Sequence, residues 1–173
     1  MTRDKILIIG RKSFVEEDPT GENVRHARAC VVLSRKMDHD ALFALKRRRA
    51  NGPELRLARS FEEALCVAQE LRIAESHDEK SSKRNRQFDS SLFGGEEGID
   101  CWIAGGEGIY REALQHQNLR KVSLTFVDIT IDENLNHNRV TFFPLDEFRQ
   151  IGFEEVSRSV NGICTFCLFE RRE

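Results

Sequence analysis

No stretch of this chain approaches the roughly 20 consecutive apolar residues that a bilayer-spanning helix requires, which excludes an integral membrane helix. The start, Met1-Thr2-Arg3-Asp4, runs straight into a strand-like segment and carries none of the regions of a signal or transit peptide. The cytosol is the expected location, with no membrane partner. An excess of one charge is also lacking, because 27 Lys and Arg against 29 Asp and Glu leave a net charge of −2. That balance argues against a basic protein wrapping duplex nucleic acid, and no nucleic-acid partner is expected. Arg47, Arg48 and Arg49 form the densest basic cluster and read as a solvated helix end, where basic residues are favoured. The cysteines number five, an odd count unsuited to a disulfide framework, and they lie in or beside apolar runs like reduced, buried thiols. Cys164-Thr165-Phe166-Cys167 has C-x-x-C spacing, but strand alternation sends its two side chains to opposite faces. With no second such pair and no histidine at ligand spacing, no metal site is expected.

What is present begins with Ile103-Ala104-Gly105-Gly106-Glu107-Gly108-Ile109-Tyr110, where an apolar run from Ile99 stops at paired glycines and passes into a helical pattern. Such a turn lets backbone approach a ligand without an intervening Cβ and aims unpaired helix N–H groups at an anion. Glycines that merely form a tight strand-to-helix turn would look the same. A second glycine turn, Gly10-Arg11-Lys12-Ser13-Phe14, follows the run Lys5 to Ile9, and a third polar strand end lies at Leu33-Ser34-Arg35. Phosphate donors thus collect at the carboxyl ends of buried strands, where open α/β sheets bind nucleotides.

Length and a 39% hydrophobic content suit one domain spanning residues 1–173. Lys5 to Ile9 and Ala29 to Leu33 are the continuous apolar runs of strands buried on both faces of a parallel sheet. Asp40 to Arg49 reads as a short helix stopped by Asn51-Gly52-Pro53. Ser60-Phe61-Glu62-Glu63 is a capping box ahead of Ala64, Leu65, Ala68 and Leu71 at helical spacing. From 75 to 98 the chain is polar and lacks periodicity, as a mobile insertion would. Lys121 to Ile131 alternates like a strand. Phe153 to Val160 and Ile163 to Glu170 flank Asn161-Gly162, a hairpin signal. The expected fold is α/β: a mixed, mainly parallel central sheet with flanking helices and a carboxyl-terminal antiparallel hairpin.

These motifs together resemble dihydrofolate reductase from that family's second strand to its end. Gly10-Arg11-Lys12-Ser13-Phe14 is similar to the family's glycine-basic turn, and Val31-Val32-Leu33-Ser34-Arg35 to its next strand and 2′-phosphate corner. Trp102-Ile103-Ala104-Gly105-Gly106 with Ile109-Tyr110 resembles its Gly-Gly segment, while Leu124-Thr125 and Thr141-Phe142-Phe143-Pro144 match later signatures. The resemblance implies a three-layer α/β/α fold and NADPH as cofactor. Arg11, Ser34 and Arg35 would surround the 2′-phosphate through charge-assisted hydrogen bonds. Gly10, Lys12 and Ser13, together with Gly105, Gly106, Glu107 and Gly108, would form the pyrophosphate site, and a cis peptide would join the paired glycines. Arg59 and Ser60 would flank the adenine. Tyr110 would sit near the nicotinamide, Arg28 would pair with a folate carboxylate, and Thr125 would fix the catalytic carboxylate and the pterin.

The family's first strand, its active-site loop and its acidic helix have no counterpart in this sequence, and no carboxylate takes the catalytic role by motif. The family places that strand between those matching Cys101 to Ala104 and Lys121 to Val127. The activity implied is NADPH-dependent reduction of 7,8-dihydrofolate to tetrahydrofolate, a step of one-carbon metabolism, with dihydrofolate or a related pterin as partner. Two alternatives stand beside it: a riboflavin-pathway-type reductase of the same fold, and a non-catalytic nucleotide-binding or interaction paralogue.

Overall fold

The computed structural model describes residues 5–17, 20, 22–48, 52–78, 101–130 and 142–172. Two compact units divide the chain, Met1–Ile109 and Tyr110–Glu173.

In the first unit, β1 (Ile6–Gly10), β2 (Ala29–Leu33), β3 (Glu54–Ala58) and β4 (Cys101–Ile103) form a parallel sheet in the order β3-β2-β1-β4. The apolar runs behave as strands covered on both faces should, since Ile6 to Ile9 and Ala29 to Val32 are all buried. Leu7, Ile9, Cys30, Val32, Leu55 and Leu57 pack with Phe14, Val24, Met37 and Leu42 in one cluster, the last on α1 (His39–Arg48). Phe14 is fully buried, and enclosing a side chain of that kind contributes about 1.5–3 kcal/mol. The alternate residues Ile6, Ile8, Ala29 and Val31 are equally buried. α2 (Phe61–Asp78) packs on β1, β2 and β3 through a buried stripe of Phe61, Ala64, Ala68 and Leu71. Asp38 starts α1 by accepting the Ala41 N–H at Oδ1, 2.7 Å away.

Two features of this unit depart from expectation. β3 was not anticipated, although Leu55 and Leu57 point inward and Glu54 and Arg56 outward. The expected insertion begins at 75, whereas α2 continues to Asp78, and the rest of that segment lies outside the described residues. Ile99, Thr141 and Arg49 also lie outside them.

In the second unit, β5 (Lys121–Val127), β6 (Phe153–Asn161) and β7 (Cys164–Arg171) form an antiparallel sheet ordered β5-β7-β6. α3 (Glu107–Gln115) precedes it, and α4 (Leu145–Gln150), a helix the sequence reading missed, carries the buried Phe148. Phe148 meets Phe143, Phe153 and Phe169 at ring separations of 5.8, 5.4 and 5.1 Å. Arg171 caps α3, donating to the carbonyls of Leu114, His116 and Gln117 at 3.0–3.1 Å. The hairpin forms where expected, but Asn161 pairs with Cys164, so the two-residue turn is Gly162-Ile163, with Gly162 at φ +58°. A positive φ at the first turn position suits a tight hairpin and favours glycine.

The mixed α/β class is as expected: a parallel sheet with flanking helices, then a carboxyl-terminal antiparallel hairpin. β4 and β5, between which the resemblance places an additional strand, each stand at one end of their own sheet's order.

Candidate functional site

Strand register sets out the candidate cofactor residues. Gly10 pairs with Leu33 and Leu33 with Ala58, so Arg11, Ser34 and Arg59 are the first residues past the sheet on three adjacent strands. The fourth strand joins the same row, because the Gly10 N–H donates to Gly105 O at 2.6 Å and the Ala104 N–H to Ile8 O at 2.8 Å. The peptide joining Gly105 and Gly106 is cis, and Gly105 adopts φ +95°. A Cβ on Gly10 would lie 3.3 Å from both Gly106 N and Ile109 Cδ1, so glycine is what permits this approach of strand to turn. Gly108 has no such neighbours within 4 Å. α3 begins immediately at Glu107, and its opening N–H groups belong to the same carboxyl-end row.

After Gly10 the chain enters a wide helical turn over Ser13–Glu17 with π-type spacing, a form often found at functional sites. It brings Arg11 Nη2 to 3.3 Å from Glu16 Oε1, both side chains being two-fifths or more exposed. A pair so exposed contributes about 0–1 kcal/mol and is readily exchanged for a better anion. Lys12 is exposed, whereas Ser13 is buried.

The β2 end is more tightly organised. Ser34 is buried, its N–H donates to Ala58 O at 2.9 Å, and its Oγ accepts the N–H groups of Lys36 and Met37 at 3.2 and 3.0 Å. Arg59 Nη1 donates to the carbonyls of Ser34, at 2.9 Å, and of Met37. Arg35 and Lys36, between those fixed points, are exposed. Lys36 escaped the sequence reading, although it directly follows Arg35. Ser60 Oγ accepts the Glu63 N–H at 3.1 Å and Glu63 Oε2 accepts the Arg59 N–H at 2.7 Å. The capping box therefore forms, one residue out of register on its return bond.

Arg28, named for the substrate, stands apart from this row within the same unit. Arg28 is at the amino end of β2, six residues and on the order of 20 Å along the strand from Ser34. Its Nη2 donates to Leu71 O at 3.0 Å. Burial lowers its pKa, opposed by the nearby Glu54 charge. Tyr110 and Thr125 belong to the second unit. Tyr110 meets Phe143 edge-on at 5.4 Å, and Thr125 is exposed on β5 opposite Phe166. In the same sheet, burial pushes the Cys167 thiol up, while hydrogen bonds from Arg158, both 2.7 Å long, hold the Glu155 carboxyl below its usual range. Cys164 and Cys167 sit at odd spacing on β7 and so face opposite sides of the sheet.

No protein-family model matches the chain, and no curated protein does. Among solved structures it is similar to a pyrimidine reductase-like protein from Corynebacterium diphtheriae, with 10% identity, 99% of this chain and 77% of that chain covered, and a TM-score of 0.45.

Proposed function

We propose that this chain is an NADPH-binding reductase of the dihydrofolate-reductase-like α/β fold. One observation carries the reading: strand register brings three polar strand ends and the Gly105-Gly106 turn into a single row at the carboxyl edge of a parallel sheet. Nucleotides bind at such an edge. Within the row, Gly10, Gly105 and Gly106 would admit the pyrophosphate to the backbone. Lys12, Ser13, Glu107 and Gly108 would contribute N–H donors around it. Arg11, Arg35 and Lys36 supply positive charge for a 2′-phosphate, which distinguishes NADPH from NADH. The cofactor would supply the hydride; the chain's own part is to orient it and to hold the acceptor against its face.

Two acceptors fit the reading. Dihydrofolate is the first, its carboxylate being the partner that the resemblance gives Arg28. The second is the pyrimidine acceptor of a riboflavin-pathway-type reductase of the same fold. One observation weighs against the first: Arg28, on which folate recognition would rest, already donates to Leu71 O and lies beside Glu54. Fluorescence titration with NADPH and NADH tests the cofactor reading, for which tighter NADPH binding is expected; equal affinity would overturn it. NADPH oxidation with each acceptor, alongside methotrexate binding, separates the two substrates. Cofactor binding without turnover on either would leave a nucleotide-binding paralogue.

A further inference from the structure

We propose that Arg59 is a positioning residue for cofactor discrimination, locking the turn Ser34 to Met37 so that the exposed side chains of Arg35 and Lys36 meet the 2′-phosphate of NADPH. The inference rests on the cofactor reading above and assigns Arg59 a role other than contact with the adenine.

The turn is held through both polarities of its backbone. Ser34 Oγ takes the N–H groups of Lys36 and Met37, while Arg59 Nη1 gives to the carbonyls of Ser34 and Met37. Two side chains thereby satisfy four main-chain groups of a four-residue segment. The ends of the turn are anchored as well, Ser34 by Ala58 O and Met37 by burial in the core cluster. Arg59 is itself fixed by its own N–H on Glu63 Oε2. Only the two central residues, both cations, remain exposed.

Adjacent like charges repel, and a free turn would let them splay apart. Held at the carboxyl end of β2, they form a two-charge site that a phosphate dianion neutralises and a ribose hydroxyl does not. Arginine suits the strut, because the two N–H bonds of Nη1 are fixed in the guanidinium plane and can each meet one carbonyl. A lysine ammonium is a flexible point charge.

The test compares the intact chain with Arg59→Met and Arg59→Lys by fluorescence titration against NADPH and NADH. Both variants should lose about tenfold in NADPH affinity, the scale of a charge-assisted contact, and less than about twofold in NADH affinity. Equal losses for both cofactors would show an adenine contact and overturn the proposal. So would a normal Arg59→Lys beside a weakened Arg59→Met, since charge alone would then suffice. Amide hydrogen exchange without cofactor gives the independent readout: Lys36 and Met37 should exchange faster in both variants while β2 keeps its protection, and unchanged exchange would remove the strut. A parent chain without NADPH preference would overturn the cofactor reading and the specificity role together. Parent preference that persists in both variants would overturn Arg59 alone.

Discussion

Gly10 closes β1 and Gly108 stands in the first turn of α3, and an added methyl group meets different surroundings at each. At Gly10 it would press on Gly106 N and on Ile109 Cδ1 at 3.3 Å, and on Gly105 O at 3.4 Å. Two of those three atoms are backbone and cannot turn aside. Gly10→Ala is therefore expected to cost about 1–3 kcal/mol, the usual penalty of overpacking. Gly108 stands in α3 with open space around it, and Gly108→Ala should be neutral or stabilise by up to about 1 kcal/mol through helix propensity. Urea unfolding midpoints of the two variants check the contrast; matching shifts would contradict it. Arg11 calls for a different measurement, since its exposed pairing with Glu16 contributes little to stability. Arg11→Ala should leave the unfolding midpoint nearly unchanged and lower NADPH affinity about tenfold relative to NADH, as read by titration. At this scale the sequence shows which side chains stand at the strand ends but not what they bond. Ser34 turns its hydroxyl onto its own turn and Arg59 reaches across to two carbonyls, because those partners come from neighbouring strands that only the folded sheet brings together.

Among the elements, those with strong local signals were legible. β1 and β2 were clear as continuous apolar runs, α2 through its capping box, and the β6–β7 hairpin through its glycine turn. β3 escaped because its five residues follow a Gly-Pro breaker and precede the cap of α2, which leaves little room for a period-two pattern to stand out. α4 escaped for a related reason: six residues give barely more than one helical turn, and Phe148 is its only buried side chain. Its place depends on packing against Phe153 and Phe169, which adjacent sequence does not reveal. The α2 cap yields a direct prediction. Ser60 Oγ receives the Glu63 N–H, so Ser60→Ala should lower stability by about 1 kcal/mol, visible as a lower thermal midpoint. If capping is its whole role, NADPH affinity stays put, and a parallel loss of affinity would return Ser60 to the adenine side of the site.

For the molecule as a whole, the polar strand ends are unevenly shared between the units. The row of Arg11, Ser34, Arg59 and Gly105 lies within Met1–Ile109, whereas Tyr110 and Thr125 belong to Tyr110–Glu173. The parallel order of the first sheet gathers its strand ends on one edge. The second sheet, being antiparallel, alternates its ends and collects no comparable row. Cofactor binding should accordingly leave a regional signature. A ligand that binds only the folded state adds about 2.7 kcal/mol at a concentration of 100 Kd, so NADPH should raise the thermal midpoint, with NADH doing so less at equal concentration. In amide exchange, the added protection should concentrate at Arg11 to Phe14, at Arg35 to Met37 and at Glu107 to Ile109. β6 and β7 should change little, since their ladder is already closed by cross-strand hydrogen bonds and carries none of the proposed cofactor contacts. Protection that instead centred on β6 and β7, or a midpoint unmoved by saturating NADPH, would mean that the row of strand ends is an ordinary feature of a parallel sheet and that this chain's ligand, if it has one, binds elsewhere.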